Sequence, residues 1–400
     1  MSQDGAQSSQ YKLAPGPHAV AVHDRLWHDT ARRRDVPVRI YSPAAVGAHA
    51  VRHPLILFSP GIAAGPDEYA YLGRHWASHG YVSAHGTHPG TDAELLRDVE
   101  RPWPVIEAAL HAPQHRIDRP ADLVFAWTSL ARDPQLGALI DSDRVAVAGH
   151  SFGAFTALAL VGLTFDMPGR GDTCVAPADG DAAGGAKVSS GGPSVAPSLR
   201  RSVAAAGSSR IRAALVMSPQ GVGIFGLHAH SWDRIAVPVL SLTGTRDKGL
   251  LSKRVEERIE TFARVPAGEQ YLAVIHGASH FAFGEGPGLG ALRPPRVPEH
   301  HDYVRQVSVA FLDGYLGAGI EESRDQGIEE RRATELQATK RRSDEATEGT
   351  ARRWLTSNAP ARMSDGRCFV RWRGVALDSA PPDGPLQTPD WLTASLSDGR

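Results

Sequence analysis

Two rhythms alternate along this chain: short unbroken apolar runs, and longer stretches in which apolar residues return every three or four positions. Val36, Val38 and Ile40 alternate with polar neighbours. With the stretch from His18 to Asp29 and the charged turn Arg32-Arg33-Arg34-Asp35, they predict an opening pair of edge strands. Pro54 to Phe58, Tyr81 to Ala84, Val145 to Ala148, Ile211 to Met217, Pro238 to Gly244 and Tyr271 to Ile275 are runs of another kind. Each is mostly apolar without a strict alternation, and Val145 to Ala148 is continuously so, as strands buried on both faces of a parallel sheet are. Tyr69, Leu72 and Trp76 recur at helical spacing and end in His79-Gly80, a helix closed by glycine. Ala121, Val124, Phe125, Trp127 and Leu130 trace a second helix from about Arg119 to Arg132, and Val307, Ala310, Phe311 and Tyr315 a third from Tyr303 to Leu316. Strand, helix, strand at this spacing is a βαβ unit. The pattern therefore predicts an α/β protein with a mostly parallel central sheet and helices on both faces.

The rhythm fails in three places. Residues 1–15 are polar and predict a disordered start. Residues 168–209 are dense in Gly, Ala, Ser and Pro with hardly any aromatic side chain, so they bury too little apolar surface to offset the cost of ordering. They read as a flexible insertion, either a partial lid or a tolerated surface loop. From Glu321 to Arg353 charges of both signs alternate without an apolar stripe, and the end of the chain is rich in Pro, Asp and Ser. Residues 320–400 are expected to be a charged linker and a largely disordered tail, in which Arg353-Trp354-Leu355 docks back on the domain. One domain is left over 16–319.

Composition removes several function classes. A formal charge of -1 and a pI near 7.0 give no basic face for nucleic acid. The first residues lack the basic start and apolar run of a secretory signal, and no apolar stretch reaches the roughly eighteen residues that a membrane span needs. Two cysteines, Cys174 and Cys368, are too few for a disulfide framework, and both fall outside the predicted core, which argues against a bridge between them. Together these favour the cytoplasm.

Candidate chemistry centres on Gly149-His150-Ser151-Phe152-Gly153, which follows the run Val145 to Ala148 and precedes the helical residues Ala154, Ala157, Leu158, Leu160 and Val161. Strand, tight turn, helix is the context that gives a G-x-S-x-G pattern meaning. The turn strains the serine backbone and leaves no room for side chains on either side of it, which lifts Ser151 into the open. A serine hydroxyl needs a general base, and the base needs a group to fix its tautomer. In an α/β-hydrolase these follow in the order Ser, Asp or Glu, His. Ser151, Asp247 and His280 do so, each just past a predicted strand. Asp247 also reads as a turn residue, with Asp233 the fallback acid, and His276 is a rival base. His150 reads as a packing residue beneath the turn, and His88 as a pocket residue or plain polar surface. The amides of Ile62, freed by Gly61, and of Phe152 would receive the oxyanion. Gln220, Phe225 and Trp232 lie on loops that would wall an acyl pocket.

These residues resemble a known family. Pro60-Gly61-Ile62, the stretch from Leu72 to Val82, the Gly149 to Gly153 motif and the late Asp and His are similar to the α/β-hydrolases grouped with platelet-activating-factor acetylhydrolases, predicted dienelactone hydrolases, chlorophyllases and bacterial cutinase-like polyester hydrolases. The resemblance covers roughly residues 15–318 without the insertion. It implies an α/β-hydrolase fold, Ser151 as nucleophile, His280 as base, Asp247 as orienting acid, and Ile62 and Phe152 as oxyanion donors. No metal or cofactor is implied. Dienelactone hydrolases use a cysteine nucleophile and secreted polyester hydrolases an export signal, so the chain departs from both. The expectation is a serine hydrolase of small carboxylic esters. A lipase, an amide hydrolase and a non-catalytic binding protein on the same scaffold are the alternatives.

Overall fold

The computed structural model describes residues 11–44, 51–167, 210–249, 251–252, 254–265, 269–285 and 296–317, and the backbone of three further strands at 173–175, 361–362 and 368–373. The chain opens with an antiparallel hairpin, β1 (Val20–Asp29) and β2 (Arg34–Pro43), as the alternation predicts. There follow β3 (His53–Ser59), α1 (Ala70–Ser78), β4 (Val82–Gly86), α2 (Pro102–His111), α3 (His115–Ala131), β5 (Ile140–His150) and α4 (Phe152–Leu160). A two-stranded pair, β6 (Thr164–Asp166) with β7 (Thr173–Val175), precedes β8 (Ile211–Met217), β9 (Val239–Arg246), α5 (Glu260–Arg264), β10 (Gln270–Ser279) and α6 (Pro298–Leu316). Two last strands, β11 (Ala361–Arg362) and β12 (Cys368–Arg373), follow at the end.

Ten of these strands form one sheet in the order β1-β2-β4-β3-β5-β8-β9-β10-β12-β11. From β4 across to β10 every neighbour is parallel, and the antiparallel pairs lie at the two sides. This is a mixed, mostly parallel α/β sheet. The continuous apolar runs have a direct cause. Leu55, Leu57, Val145 and Val147 face one core with Leu123, Trp127, Leu130 and Phe155 of α3 and α4, while Ile56, Phe58, Ala146 and Ala148 face another with Leu72, Trp76, Val304, Val307 and Phe311 of α1 and α6. Successive side chains point to opposite faces, and both faces are covered.

Helix α2 escaped the periodicity; it buries Ile106, Ala109 and Leu110. Most of the segment 1–15 lies outside the described residues. At its end the Tyr11 hydroxyl and the Lys12 ammonium donate to Asp313 Oδ2 at 2.8 and 2.6 Å, opposite the Tyr81 hydroxyl on Oδ1 at 2.6 Å. The insertion at 168–209 is likewise outside the described residues apart from β7, and so is the tail at 320–400, including Arg353-Trp354-Leu355, apart from β11 and β12. Those two strands sit where a linker and tail are expected. Backbone bonds pair Gln270 with Arg373 through to Ile275 with Cys368, so the tail covers the open side of β10. Among the described residues no helix is long and apolar enough to cross a membrane.

Candidate active site

Ser151 occupies the turn between β5 and α4 with φ 54° and ψ −121°, a conformation that non-glycine residues avoid. The flanking glycines make it possible. A Cβ on Gly149 would fall 2.1 Å from the Gly153 carbonyl oxygen, and one on Gly153 only 1.9 Å from that of Ser59. The helix start therefore presses against the end of β3, and Ser151 is the residue pushed outward. Gly153→Ala is expected to cost at least about 3 kcal/mol of stability through forced backbone displacement. A urea-unfolding midpoint equal to that of the unaltered protein would refute this close approach.

The parallel strands β9 and β10 deliver the two partners to the same rim. His280, immediately after β10, places Nε2 2.8 Å from Ser151 Oγ and Nδ1 2.9 Å from Asp247 Oδ1. The carboxylate fixes the proton on Nδ1, leaving Nε2 to accept from the serine hydroxyl. Asp247 Oδ2 accepts from Ser218 Oγ at 2.5 Å and Thr243 Oγ1 at 2.9 Å. Behind the pair stands Arg258, which is 2 % exposed. Its Nε approaches Asp247 Oδ1 at 3.3 Å, and its Nη1 donates to the carbonyls of Ser218 and Pro219, each at 3.1 Å. Nη2 lies 3.3 Å from His280 Nδ1, an electrostatic contact rather than a bond while Nδ1 carries its proton.

These contacts decide the ionisation. Burial alone would raise the Asp247 carboxyl, but the Arg258 charge and the bonds from His280 and Ser218 hold it well below the usual carboxylate range. His280 is lowered, chiefly by burial and further by Arg258, against the opposing pull of Asp247. A base works only while neutral, so kcat/KM should rise through the His280 ionisation and level off above it, with the acid limb below the ordinary histidine value of 6.5. Arg258→Gln removes a charge that opposes the imidazolium and should move that limb toward higher pH. Arg258→Lys keeps the charge and should move it less. Equal limbs in all three proteins, measured with one ester across pH 4 to 9, would remove Arg258 from this role.

His150 is not mere packing. Its Nδ1 accepts from the Tyr69 hydroxyl at 2.7 Å and its Nε2 donates to the His280 carbonyl at 3.0 Å, while Tyr69 in turn accepts from the Gly61 amide at 3.2 Å. Burial, then the His280 charge, keeps His150 neutral. The ring thus ties the loop after β3 to the backbone of residue 280. That loop is also gripped from below. Arg119 donates to the Pro60 carbonyl and, at 3.1 Å, to Ser59 Oγ, and its guanidinium lies 4.6 Å from the Phe152 ring. The amides of Ile62 and Phe152 have no acceptor among the described residues.

A second Ser-His-Asp chain runs beneath: Ser59 Oγ to His88 Nε2 at 2.9 Å, and His88 Nδ1 to Asp122 Oδ2 at 3.0 Å. All three residues are buried, with Ser59 and Asp122 at 0 % exposure, and none lines the cavity beside Ser151. His88 is therefore neither pocket wall nor surface. Asp122 also takes Arg32 and Arg34, which makes this a structural anchor.

Ser151 and His280 open on a cavity of about 60 Å³ that Gly61, Ile62, Leu110, Gln220, Phe225 and Leu251 help to line. Gln220 and Phe225 are thus brought to the wall. Trp232 is not: it is fully buried elsewhere, its indole N–H donating to Thr261 Oγ1 at 3.1 Å. Asp233 is also remote, paired with His230 on the surface, and His276 stays within β10. No protein-family model and no curated protein matches this chain. Among the described residues no group of three or more His, Cys, Asp or Glu is placed to hold a metal ion. Sequence reading missed Arg258, Arg119, Tyr69 and Ser218 as parts of this site. The first two lie on helical segments with ordinary charge patterns and carry no local signal, whereas Ser218, at the end of an apolar run like Ser59, could have been weighed as a support.

Proposed function

We propose that this chain is a serine hydrolase of the α/β-hydrolase type that cleaves small carboxylic esters through an acyl-enzyme intermediate, with Ser151, His280 and Asp247 as its triad. The observation that carries this reading is the unbroken chain of hydrogen bonds from Ser151 Oγ through both nitrogens of His280 to Asp247, opening on a cavity. It is supported by the strained turn at Ser151 and by two amides, without an acceptor among the described residues, at the positions where the resemblance puts an oxyanion hole. The group of platelet-activating-factor acetylhydrolases, chlorophyllases and cutinase-like enzymes is where that resemblance points.

In the reaction, His280 Nε2 takes the proton of Ser151 as Oγ attacks the ester carbonyl, and the carbonyl π pair moves onto oxygen. The oxyanion accepts from the amides of Ile62 and Phe152. As the tetrahedral centre collapses, the C–O bond to the leaving group breaks and the imidazolium protonates the departing alkoxide. Water then repeats the sequence: His280 removes its proton, hydroxide adds to the acyl carbon, and Ser151 leaves with the proton returned. The Nδ1 proton stays on the histidine throughout, held by Asp247.

The room beside Ser151 favours a short acyl group over a lipid chain, since about 60 Å³ holds only a few heavy atoms. A wider cleft of about 490 Å³ shares Leu110, Phe225 and Leu251 with the first and gives the rest of a substrate a place to extend. The test is covalent. A fluorophosphonate should modify Ser151, as read by mass spectrometry of the tryptic peptide, and should leave the Ser151→Ala protein unlabelled. Absence of labelling, or an adduct on another residue, would sink the proposal.

A further inference from the structure

The two amides proposed to receive the oxyanion belong to different elements, Ile62 to the loop after β3 and Phe152 to the first turn of α4. One side chain meets both. Arg119, on α3, is 1 % exposed. Toward the loop its Nη2 donates to the Pro60 carbonyl and, at 3.1 Å, to Ser59 Oγ, and its Nη1 donates to Thr91 Oγ1 at 2.6 Å. Toward the helix its guanidinium lies 4.6 Å from the centre of the Phe152 ring. Its Nε donates at 3.2 Å to Thr156 Oγ1, which itself donates to the Phe152 carbonyl at 3.0 Å.

The rest of the loop is pinned around a single gap. The Gly61 amide donates to the Tyr69 hydroxyl at 3.2 Å and the Ala63 amide to the Thr91 carbonyl at 2.8 Å, whereas the Ile62 amide between them has no acceptor among the described residues. Thr91 therefore serves twice, its hydroxyl taking Arg119 and its carbonyl Ala63. The sealed Ser59-His88-Asp122 chain gains a use as well, since it fixes Ser59 Oγ as an acceptor for Arg119. A planar guanidinium carries its N–H groups in a rigid fork, so it can join these four acceptors and an aromatic face at once, which a lysine ammonium cannot. Burial pushes Arg119 down to about 9, which leaves the fork fully protonated at neutral pH. The spacing matters because an oxyanion hole needs both donors at the developing charge together, and a misplacement of about 1 Å costs on the order of a hundredfold.

We infer that Arg119 is the positioning residue of the oxyanion hole: by binding the Pro60 carbonyl, the Phe152 ring and, through Thr156, the Phe152 carbonyl, one guanidinium sets the spacing of the Ile62 and Phe152 amides. It touches no substrate and acts through those amides. This inference rests on the serine-hydrolase reading and extends it to the part of the site that receives charge.

Three variants of the full chain test it. Arg119→Lys keeps the charge without the fork, Thr156→Val removes the link to Phe152, and Thr156→Ser keeps that link. Rates with p-nitrophenyl butanoate are counted per site titrated by a fluorophosphonate, and urea unfolding checks the fold. kcat/KM should fall by about tenfold to a hundredfold in Arg119→Lys and by about threefold to tenfold in Thr156→Val, and Thr156→Ser should stay within about twofold of the unaltered protein. Two readouts separate this from general loosening. The acid limb of the pH profile, set by His280 with Asp247 and Arg258, should not move. A trifluoromethyl ketone adds to Ser151 as a hemiketal whose ionised oxygen sits in the hole. Carbon NMR of its labelled carbonyl carbon should show that oxygen ionising about one pH unit higher in Arg119→Lys, the equivalent of a tenfold loss of stabilisation.

An unchanged kcat/KM in either Arg119→Lys or Thr156→Val overturns the positioning role. So do equal losses in the two Thr156 proteins, an acid limb that moves with the rate, or a hemiketal that ionises as in the unaltered protein. If Arg119→Lys fails to fold, the Thr156 pair decides by the same measurements. An unaltered protein that turns over no ester and takes no fluorophosphonate on Ser151 overturns the hydrolase reading and the Arg119 role with it, whereas an active protein with unaffected variants overturns this inference alone.

Discussion

Replacing Ser151 with alanine should lower kcat for a short-chain nitrophenyl ester by between about ten-thousand-fold and a millionfold while leaving the fold in place. The size of the effect follows from what one oxygen does here. Ser151 Oγ is the atom that bonds His280 Nε2 beside the cavity, whereas the Tyr69 hydroxyl, which meets the imidazole of His150, accepts from the Gly61 amide and is tied into the support of the loop after β3. Water could replace it only without the orientation that the turn imposes. The backbone strain at φ 54° is the same for alanine as for serine, so the unfolding midpoint should stay within about 1 kcal/mol of the original. Activity above about a thousandth of the original, with the substitution verified by mass, would show that the hydrolysis takes place elsewhere.

Asp247→Asn should cost about ten-thousand-fold in kcat near neutral pH, for a different reason. Asp247 Oδ1 accepts the Nδ1 proton of His280, and Oδ2 accepts from two hydroxyls, so every neighbour presents a donor to this carboxylate. An asparagine must turn its N–H₂ toward one side or the other. Facing His280, it forces the imidazole proton onto Nε2, where it can no longer accept from Ser151; facing Ser218 and Thr243, it sets donor against donor until those hydroxyls rotate. Stability should fall as well, by about 3 to 5 kcal/mol, because the buried Arg258 loses its counter-charge. Measuring kcat and the denaturation midpoint together separates the two effects. A kcat within tenfold of the original would mean that the carboxylate does not orient the base.

The backbone layout was legible because its signals are local. The runs at Leu55 to Phe58 and Val145 to Ala148 announce strands covered on both faces, and the glycines around Ser151 announce a turn too tight for side chains. Position relative to the predicted strand ends favoured Asp247, just past the run Pro238 to Gly244, over Asp233, and favoured His280, in the loop beyond Ile275, over His276 at the strand's very end. What failed was weakly patterned or non-local. Helix α2 is apolar at most positions and opens Pro102-Trp103-Pro104, so no helical period stands out, Trp232 was placed at the pocket only because its loop follows Gln220 and Phe225, and β12 lies in a segment expected to be tail whose pairing partner is a strand nearly a hundred residues earlier.

From its residues alone this protein specifies a parallel sheet, a strained serine turn and an ordered set of acid and base candidates, because apolar periodicity and glycine sterics act over a few neighbouring positions. Depth inside the fold is another matter. Two Ser-His-Asp chains exist here, and although the glycine motif and chain order single out Ser151, Asp247 and His280, nothing local announces that Ser59, His88 and Asp122 join in a second one. Only the tertiary structure seals Ser59-His88-Asp122 beneath Arg119 and opens Ser151-His280-Asp247 onto a cavity, and it alone sets Arg258 behind the base. Solvent access and buried charge are sums over residues brought together from the whole chain, and no local pattern encodes them.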